Sequence, residues 1–270
     1  MFKTRLKTGA WLFVAVSAAL LFSHIPVVLT LSVAFLCIFS VWEMSIALHL
    51  PNKTLPVAVS MLELAVLMLM PNQLYGTILA VLFACMVAFF GILMHNMNRV
   101  EELKKSEKYL VMTAIPVLFS SIKYIRELPE GLVELTVAIL VCTITDSCAY
   151  LVGRRYGRHK LAPRISPSKT VEGSVGGTLS TAAVLLLAAV WISMTQNIEM
   201  SFVQLTIYLV TASFIGQFGD LCMSTVKRIA KIKDYGDLLP GHGGILDRFD
   251  SQLFVLPYTY LFCAICGRIF

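Results

Sequence analysis

The chain has 270 residues, 57% of them apolar and only 14% charged, with a formal net charge of +6. Soluble domains are nearer about 25% charged, so these proportions exclude a globular protein wetted on all sides and make lipid the solvent for much of the surface. The seven cysteines sit mostly inside apolar runs and read as small buried residues, not as a disulfide framework.

The chain opens with "MFKTRLKTGAWLFVAVSAALLF", a positive start and an apolar run that resembles a signal peptide. Apolar character resumes directly after "SHIP" and continues to Val41, so a retained first helix is expected. A spanning helix needs about 20 mostly apolar residues. The sequence predicts an all-α, polytopic membrane protein of about nine spans: 9–23, 26–48, 54–70, 74–94, 109–126, 131–152, 173–194, 202–223 and 251–268. The breaks at "SHIP", "LPNK", "PNQ", "RELPEG" and "TQNIEM" carry turn-forming residues. Spans 1 and 2 are close enough for a re-entrant hairpin. With the N-terminus inside, all 22 lysines and arginines except Lys123, Arg126 and Arg268 fall on the inner side. The polar segments 95–108, 153–172 and 224–250 then share that side. Residues 1–110 are expected to form about four spans that serve as scaffold or for dimer contacts, and 111–270 the catalytic transmembrane region with the polar loops 153–172 and 224–250.

In chain order, Glu43, His49 and His95 fall near span ends and are expected at the interface. Glu63 lies within a span and is expected to be structural or protonated. "HNMNRVEELKKSEK" mixes both signs and reads as a solvated connector or short helix. Asp146 is the clearer anomaly, because an ionised group within a span costs about 3 kcal/mol and must face a partner, water or a metal. The basic segment 153–172 has no apolar periodicity and reads as a loop. In "SPSKTVEGSVGG" the residue Ser166 or Ser168 is expected to cap the next helix, Glu172 lies in its first turn, and Gly173 and Gly177 permit close helix contact. Lys169 is a base at a helix N-terminus, a place that favours anions.

Asp220 lies at the inner end of span 8, which is expected to continue as an interfacial helix with Lys227 two turns further along the same face. From Asp220 to Ser251 the acids Asp220, Asp234, Asp237, Asp247 and Asp250 are balanced by Lys227, Arg228, Lys231, Lys233 and Arg248, with "PGHGG" between them. A lipid-headgroup patch would be one-sidedly basic. Acids and bases around a glycine-rich backbone suit a nucleotide with its metal. Asp247 and Asp250, three apart, are expected to share one face at the start of span 9, where N-terminal capping explains Asp250 and Ser251 as well.

The pattern of Ser224, Lys227, Arg228, Lys233, Asp234, Gly236, Pro240, Gly241, His242, Gly243, Gly244, Asp247, Arg248, Asp250 and Ser251 resembles the signature of phosphatidate cytidylyltransferases. "DSCAYLVGRRYGRHK", "SPSKTVEG" and Gly219–Asp220 resemble that family's other recurring stretches, while Ser168 departs from the pattern. The resemblance implies transfer of the cytidylyl group of CTP to phosphatidate, giving CDP-diacylglycerol and pyrophosphate. It implies a multi-pass protein of the inner (plasma) membrane with its site facing the cytoplasm. It further implies Mg²⁺ or Mn²⁺, with room for a second cation, and a homodimer; no nucleic-acid partner is expected. On this reading Asp220 and Asp247 hold metal, with Asp250 and Asp146 as further ligands or supports. Lys227, Arg228, Lys233 and Arg248 neutralise phosphate charge. Arg164 and Lys169 face a substrate phosphate, and Ser166, Thr170, Glu172, Asp234, His242, Gly243 and Gly244 complete the substrate surface. A CTP-dependent polyprenol kinase is the nearer alternative, and a secondary transporter the more distant one.

Overall fold

A computed structural model describes residues 2–97, 100, 102–196 and 200–267. Arg99 and Arg268, part of the charge asymmetry, lie outside the described residues, as do residues 197–199 of the expected break at 195–200. The elements in order are α1 (Phe2–Leu21), α2 (Pro26–Ala47), α3 (Thr54–Met68), α4 (Asn72–His95), α5 (Lys105–Arg126), α6 (Gly131–Tyr156), β1 (Lys160–Ala162), β2 (Ser166–Thr170), α7 (Val171–Gln196), α8 (Phe202–Ile229), α9 (Leu246–Phe249) and α10 (Gln252–Cys266).

The chain is a helical membrane protein. Among the described residues, α2, α4, α5, α6, α7 and α8 are long and apolar enough to cross a bilayer. The other three expected spans fall on shorter apolar helices, Lys7–Leu21, Thr54–Met68 and Gln252–Cys266. Among the described residues, six of the nine expected spans are therefore long apolar helices and three are shorter apolar stretches.

Helix α5 lies at the centre, packed against α2, α3, α4, α6 and α10. Its Tyr124 stacks on Tyr75 of α4 with ring centroids 3.5 Å apart, and Tyr260 of α10 meets both rings edge-on. The buried hydroxyls find partners, as they must in an apolar core: Tyr75 reaches Ser120 at 3.1 Å and Tyr124 donates to the Met70 carbonyl at 3.0 Å. On the other side, α6, α7 and α8 are joined by a buried polar knot. Thr145 lies 2.9 Å from Thr181 and donates to Ser213 at 3.1 Å, and Gln217 donates to Thr178 at 3.1 Å. Such hydrogen bonds hold helices together where lipid offers no hydrophobic drive. The Gly173 and Gly177 pair does the same by shape. A Cβ on Gly173 would stand 2.6 Å from the Ala149 carbonyl, and one on Gly177 2.9 Å from the Thr145 carbonyl. These glycines press α7 onto α6 of the same chain.

The polar segments gather at one end. Glu102 lies within electrostatic reach of His49 and Lys231, Arg228 donates to the Ile165 carbonyl at 3.0 Å, and Lys169 ion-pairs with Asp220. Lys123 and Arg126 lie at the opposite end. They donate to the Met68 carbonyl at 2.8 Å and to the Ser23 hydroxyl at 2.9 Å. The connector before α5 is closed by Glu107 of its first turn, which accepts the Lys104 N–H at 2.8 Å.

Three local expectations are corrected. The basic stretch expected to be a loop contains an antiparallel hairpin, Lys160 pairing with Thr170 and Ala162 with Ser166. Ser166 and Ser168 therefore belong to β2, and the cap of α7 is Thr170, whose hydroxyl accepts the Gly173 N–H at 3.1 Å. Glu43 is not interfacial but buried, for a reason given below.

Candidate active site

Helix α8 continues without a break to Ile229, so Asp220, Ser224, Lys227 and Arg228 follow one another along its polar end. Ser224 donates to Asp220 at 3.2 Å, and the second Asp220 oxygen pairs with Lys169, held out by β2. Lys227 is almost fully buried. Its ammonium lies 2.8 Å from Asp247 and 3.8 Å from Asp250, and 5.2 Å from the centre of the Tyr235 ring. Asp247 and Asp250 do share a face, although α9 is a single turn and α10 starts separately.

Asp247 is fully engaged. One oxygen accepts a hydrogen bond from the Lys227 ammonium at 2.8 Å; the other accepts the N–H groups of Tyr235 at 2.8 Å and Gly244 at 3.0 Å. It thereby folds the "PGHGG" turn back on itself, where Leu239 donates to the Gly243 carbonyl at 2.9 Å. Gly243 has φ +82°, in the left-handed region that glycine enters without penalty.

The residue that sequence reasoning placed elsewhere is Glu43 of α2. Its carboxylate accepts the N–H groups of Ile245 at 2.9 Å and Leu246 at 2.8 Å, the first turn of α9. These donors have no partner within the helix, and a carboxylate is the favoured cap. A Cβ on Gly244 would stand 2.5 Å from that carboxylate, so glycine is required by close approach as well. Thus α2 positions the turn that carries Asp247, Arg248 and Asp250. The signal available in sequence was an isolated acid in the last turn of an apolar helix, at the same end as the glycine-rich turn.

Beside this cluster is an open pocket of about 520 Å³, lined by Lys233, Asp234, Gly236, Asp237, Leu239, Gly241, His242, Gly243 and Arg248. Asp146, exposed on α6, lies within electrostatic reach of Asp220, Lys169 and Arg248. The candidate residues thus converge as two adjoining sets. One is a cluster of Asp146, Lys169, Asp220, Lys227, Asp247 and Asp250. The other is the pocket carrying Lys233, Asp234, His242, Gly243 and Arg248. Asp250, between α9 and α10, feels the crowding: burial first and then the Asp220 carboxylate push its carboxyl up to about 7, against the pull of Lys227.

The remaining candidates have local tasks. The Glu172 carboxylate accepts the N–H groups of Arg158 at 3.0 Å and His159 at 3.1 Å, and meets the His159 ring at 2.6 Å. Arg228 ties the hairpin to the end of α8, donating to the Ile165 and Ile232 carbonyls. Ser166 lies 3.5 Å from Ser168, and Arg164 is exposed in the hairpin turn. Among the described residues, no three His, Cys, Asp or Glu side chains form a ready-made metal site.

The family model described as the cytidylyltransferase family matches residues 3–266. The chain belongs to that family. It is similar to the phosphatidate cytidylyltransferase of Bacillus subtilis, 44% identical over 142 residues, which cover 52% of this chain and 51% of that protein. Its likeness to the phosphatidate cytidylyltransferase of Staphylococcus epidermidis is 47% over 128 residues, 47% of this chain and 48% of that one. The Staphylococcus aureus protein of the same name is 46% identical over an equally long stretch, again 47% of this chain and 48% of the other. The matched stretch spans about half the length of each of these relatives. In this cytidylyltransferase-family member the acid-and-base cluster and the pocket are contributed by α2, α6, β2, α8, α9 and the turn between α8 and α9.

Proposed function

We propose that the chain transfers the cytidylyl group of CTP to phosphatidate, releasing pyrophosphate, at the cytoplasmic face of the plasma membrane. The observation that carries this reading is the pairing of Lys169 with Asp220 and of Lys227 with Asp247 and Asp250, beside an open polar pocket at one end of an apolar bundle. Family membership and the names of the relatives support it. The placement of nearly all basic residues at that end supports a cytoplasmic orientation.

In the reaction an oxygen of the lipid phosphate forms a bond to the α-phosphorus of CTP while the bond to the β-phosphate oxygen breaks. The lipid phosphate is already anionic at neutral pH, so an activated serine or cysteine has no task. The protein's work is to align the two phosphates and to offset their charge. Lys233 and Arg248 line the pocket where a triphosphate fits, with the Gly243 turn beside them. Lys169 and Lys227 rest on carboxylates and exchange them for phosphate oxygens when substrate arrives. Asp146 and Asp250 then keep the surplus positive charge local.

A divalent cation fits the donor set in part. Four carboxylates (Asp146, Asp220, Asp247, Asp250) face the ammonium groups of Lys169 and Lys227 and the guanidinium of Arg248. Mg²⁺ takes one or two carboxylates and completes its shell with substrate phosphates and water, so a ready-made cage is not required. Asp220, Asp250 and Asp146 are the donors placed to hold it, and Asp247 joins them only when Lys227 moves to phosphate. When bound, Mg²⁺ or Mn²⁺ would neutralise charge on the triphosphate, and a second cation is compatible with the same acids. A homodimer is the assembly that the resemblance implies; the Gly173 and Gly177 pair is occupied within the chain and gives it no support.

The test is purified protein with α-labelled CTP, phosphatidate and Mg²⁺. Label in the lipid with equimolar pyrophosphate is the expected result. Release of CDP with phosphate left on the lipid would instead identify a kinase.

A further inference from the structure

A second cavity, of about 680 Å³, lies between α1, α2 and the site. Its volume is typical of a ligand chamber, and its walls are almost entirely carbon. Ser23 and Ser32 both line it, but their hydroxyls turn back to the Leu20 and Val28 carbonyls at 2.6 and 2.8 Å. The outer wall is α1. It is fixed at the polar end by Thr8, whose hydroxyl donates to the Pro240 carbonyl at 3.0 Å, and at the far end by the contact of Ser23 with Arg126. The lining runs along α1 from Thr8 to Leu20. At 1.5 Å per residue that is about 18 Å, more than the roughly 15 Å of one hydrocarbon leaflet.

The cavity touches the polar site at two places. Leu239 lines both cavities. Gln252, on the apolar side, directly follows Asp250 and Ser251, and its Oε1 is buried without a partner. An amide can be turned to present its NH₂ at that spot, a donor suited to an ester carbonyl. The cluster of Lys169, Lys227 and Asp250, a lone amide and an apolar chamber in that order match a phosphate headgroup, a glycerol ester and an acyl chain.

We propose that this cavity holds an acyl chain of the phosphatidate substrate, with α1 as its wall and Gln252 at the ester. The proposal rests on the function proposed above, and two measurements separate their fates. The first is photolabelling in vesicles with phosphatidate carrying a diazirine near the end of one chain. Label should concentrate on cavity-lining residues such as Val16 and Leu36 over the outward-facing Phe13 and Val14, and unlabelled phosphatidate but not phosphatidylcholine should compete. Even labelling of both faces, or no such competition, would overturn the proposal whether or not the protein turns over CTP.

The second fills the deep part of the cavity. Ala19 lies about 16 Å along α1 from Thr8, beyond the reach of an eight-carbon chain. Ala19→Trp should lower kcat/KM for dioleoyl phosphatidate about tenfold or more. Dioctanoyl phosphatidate and the KM for CTP should stay within about twofold. Ala19→Phe is the milder variant if Ala19→Trp does not fold. Equal loss for both lipids, or no loss with either, would overturn the cavity's assignment. Absence of any pyrophosphate release from the unaltered protein would instead sink the proposed function and leave the labelling to decide the cavity.

Discussion

Two of the polar segments of this chain, 157–172 and 220–251, differ in what their charges do. In 157–172 they mostly hold the segment itself. Glu172 gathers the N–H groups of residues 158 and 159, Lys160 donates to the Pro167 carbonyl at 2.7 Å, and Thr170 caps α7. Lys169 leaves the segment, to reach Asp220 on another helix. In 220–251 the charges meet across elements: Lys227 of α8 with Asp247 of α9 and Asp250 beyond it, and Glu43 of α2 with the α9 N-terminus. A one-sided basic run can be a fold-holding loop with one functional residue. A balanced run that pairs at long range is the more informative pattern.

The largest expected break in this comparison is Asp220→Asn. It keeps shape but removes charge from the cluster, and turnover should fall at least about 100-fold with the melting temperature little changed. A chelator should abolish activity of the unaltered protein. Asp247→Asn should fall as far in turnover, and the double variant little further, since residues acting as a unit are not additive. Unlike Asp220→Asn, it should also lower stability, because weakening one partner of a buried pair strands the other, at about 3–5 kcal/mol when the partner is removed outright. Near-normal turnover of Asp220→Asn at saturating Mg²⁺ would return Asp220 to a helix-end role.

Next in size is Glu43→Ala. Loss of two hydrogen bonds to a charged acceptor, each worth roughly 1.5–3 kcal/mol, should loosen α9. Turnover should drop about tenfold while the KM for CTP stays within about twofold, a loss of order 1.4 kcal/mol in the transition state. Glu43→Gln, with one oxygen still able to accept, should recover part of the rate. An equal rise in KM without loss of turnover would show that Glu43 acts on binding, not on position. Smaller again is Thr170→Ala, a lost helix cap worth about 1 kcal/mol, to be read as a lower melting temperature at nearly unchanged kinetics. Smallest is Glu172→Gln, for which both KM values should stay within about twofold if its task is local. A larger rise would join the hairpin segment to the substrate surface.

Much of the architecture was legible because it follows from apolar runs of a given length and from the side on which lysines and arginines fall. The pairing of Asp247 and Asp250 on one face followed from their spacing. What could not be read was long-range. The hairpin at 160–170 has no alternating apolar pattern; it is held by Arg228 from 63 positions away. Asp247 gave no sign of its two backbone donors, because they depend on the path of the "PGHGG" turn. Glu43 looked like an interfacial acid, because its partners lie some 200 residues later. Helix bounds were not legible either: α3 and α10 are apolar helices of 15 residues each, shorter than the apolar runs that contain them.

The contact between Glu43 and α9 sets an order on biogenesis. Residues 43 and 245 are 202 positions apart, so the carboxylate is made and inserted long before the N–H groups that will bind it exist. At about 5–20 residues per second the delay is on the order of 10–40 s. During that time α2 carries an unsatisfied acid, for which water or a proton must serve in place of the final partner. Capture of α9 by Glu43 is therefore a late, long-range step in the folding of this turn.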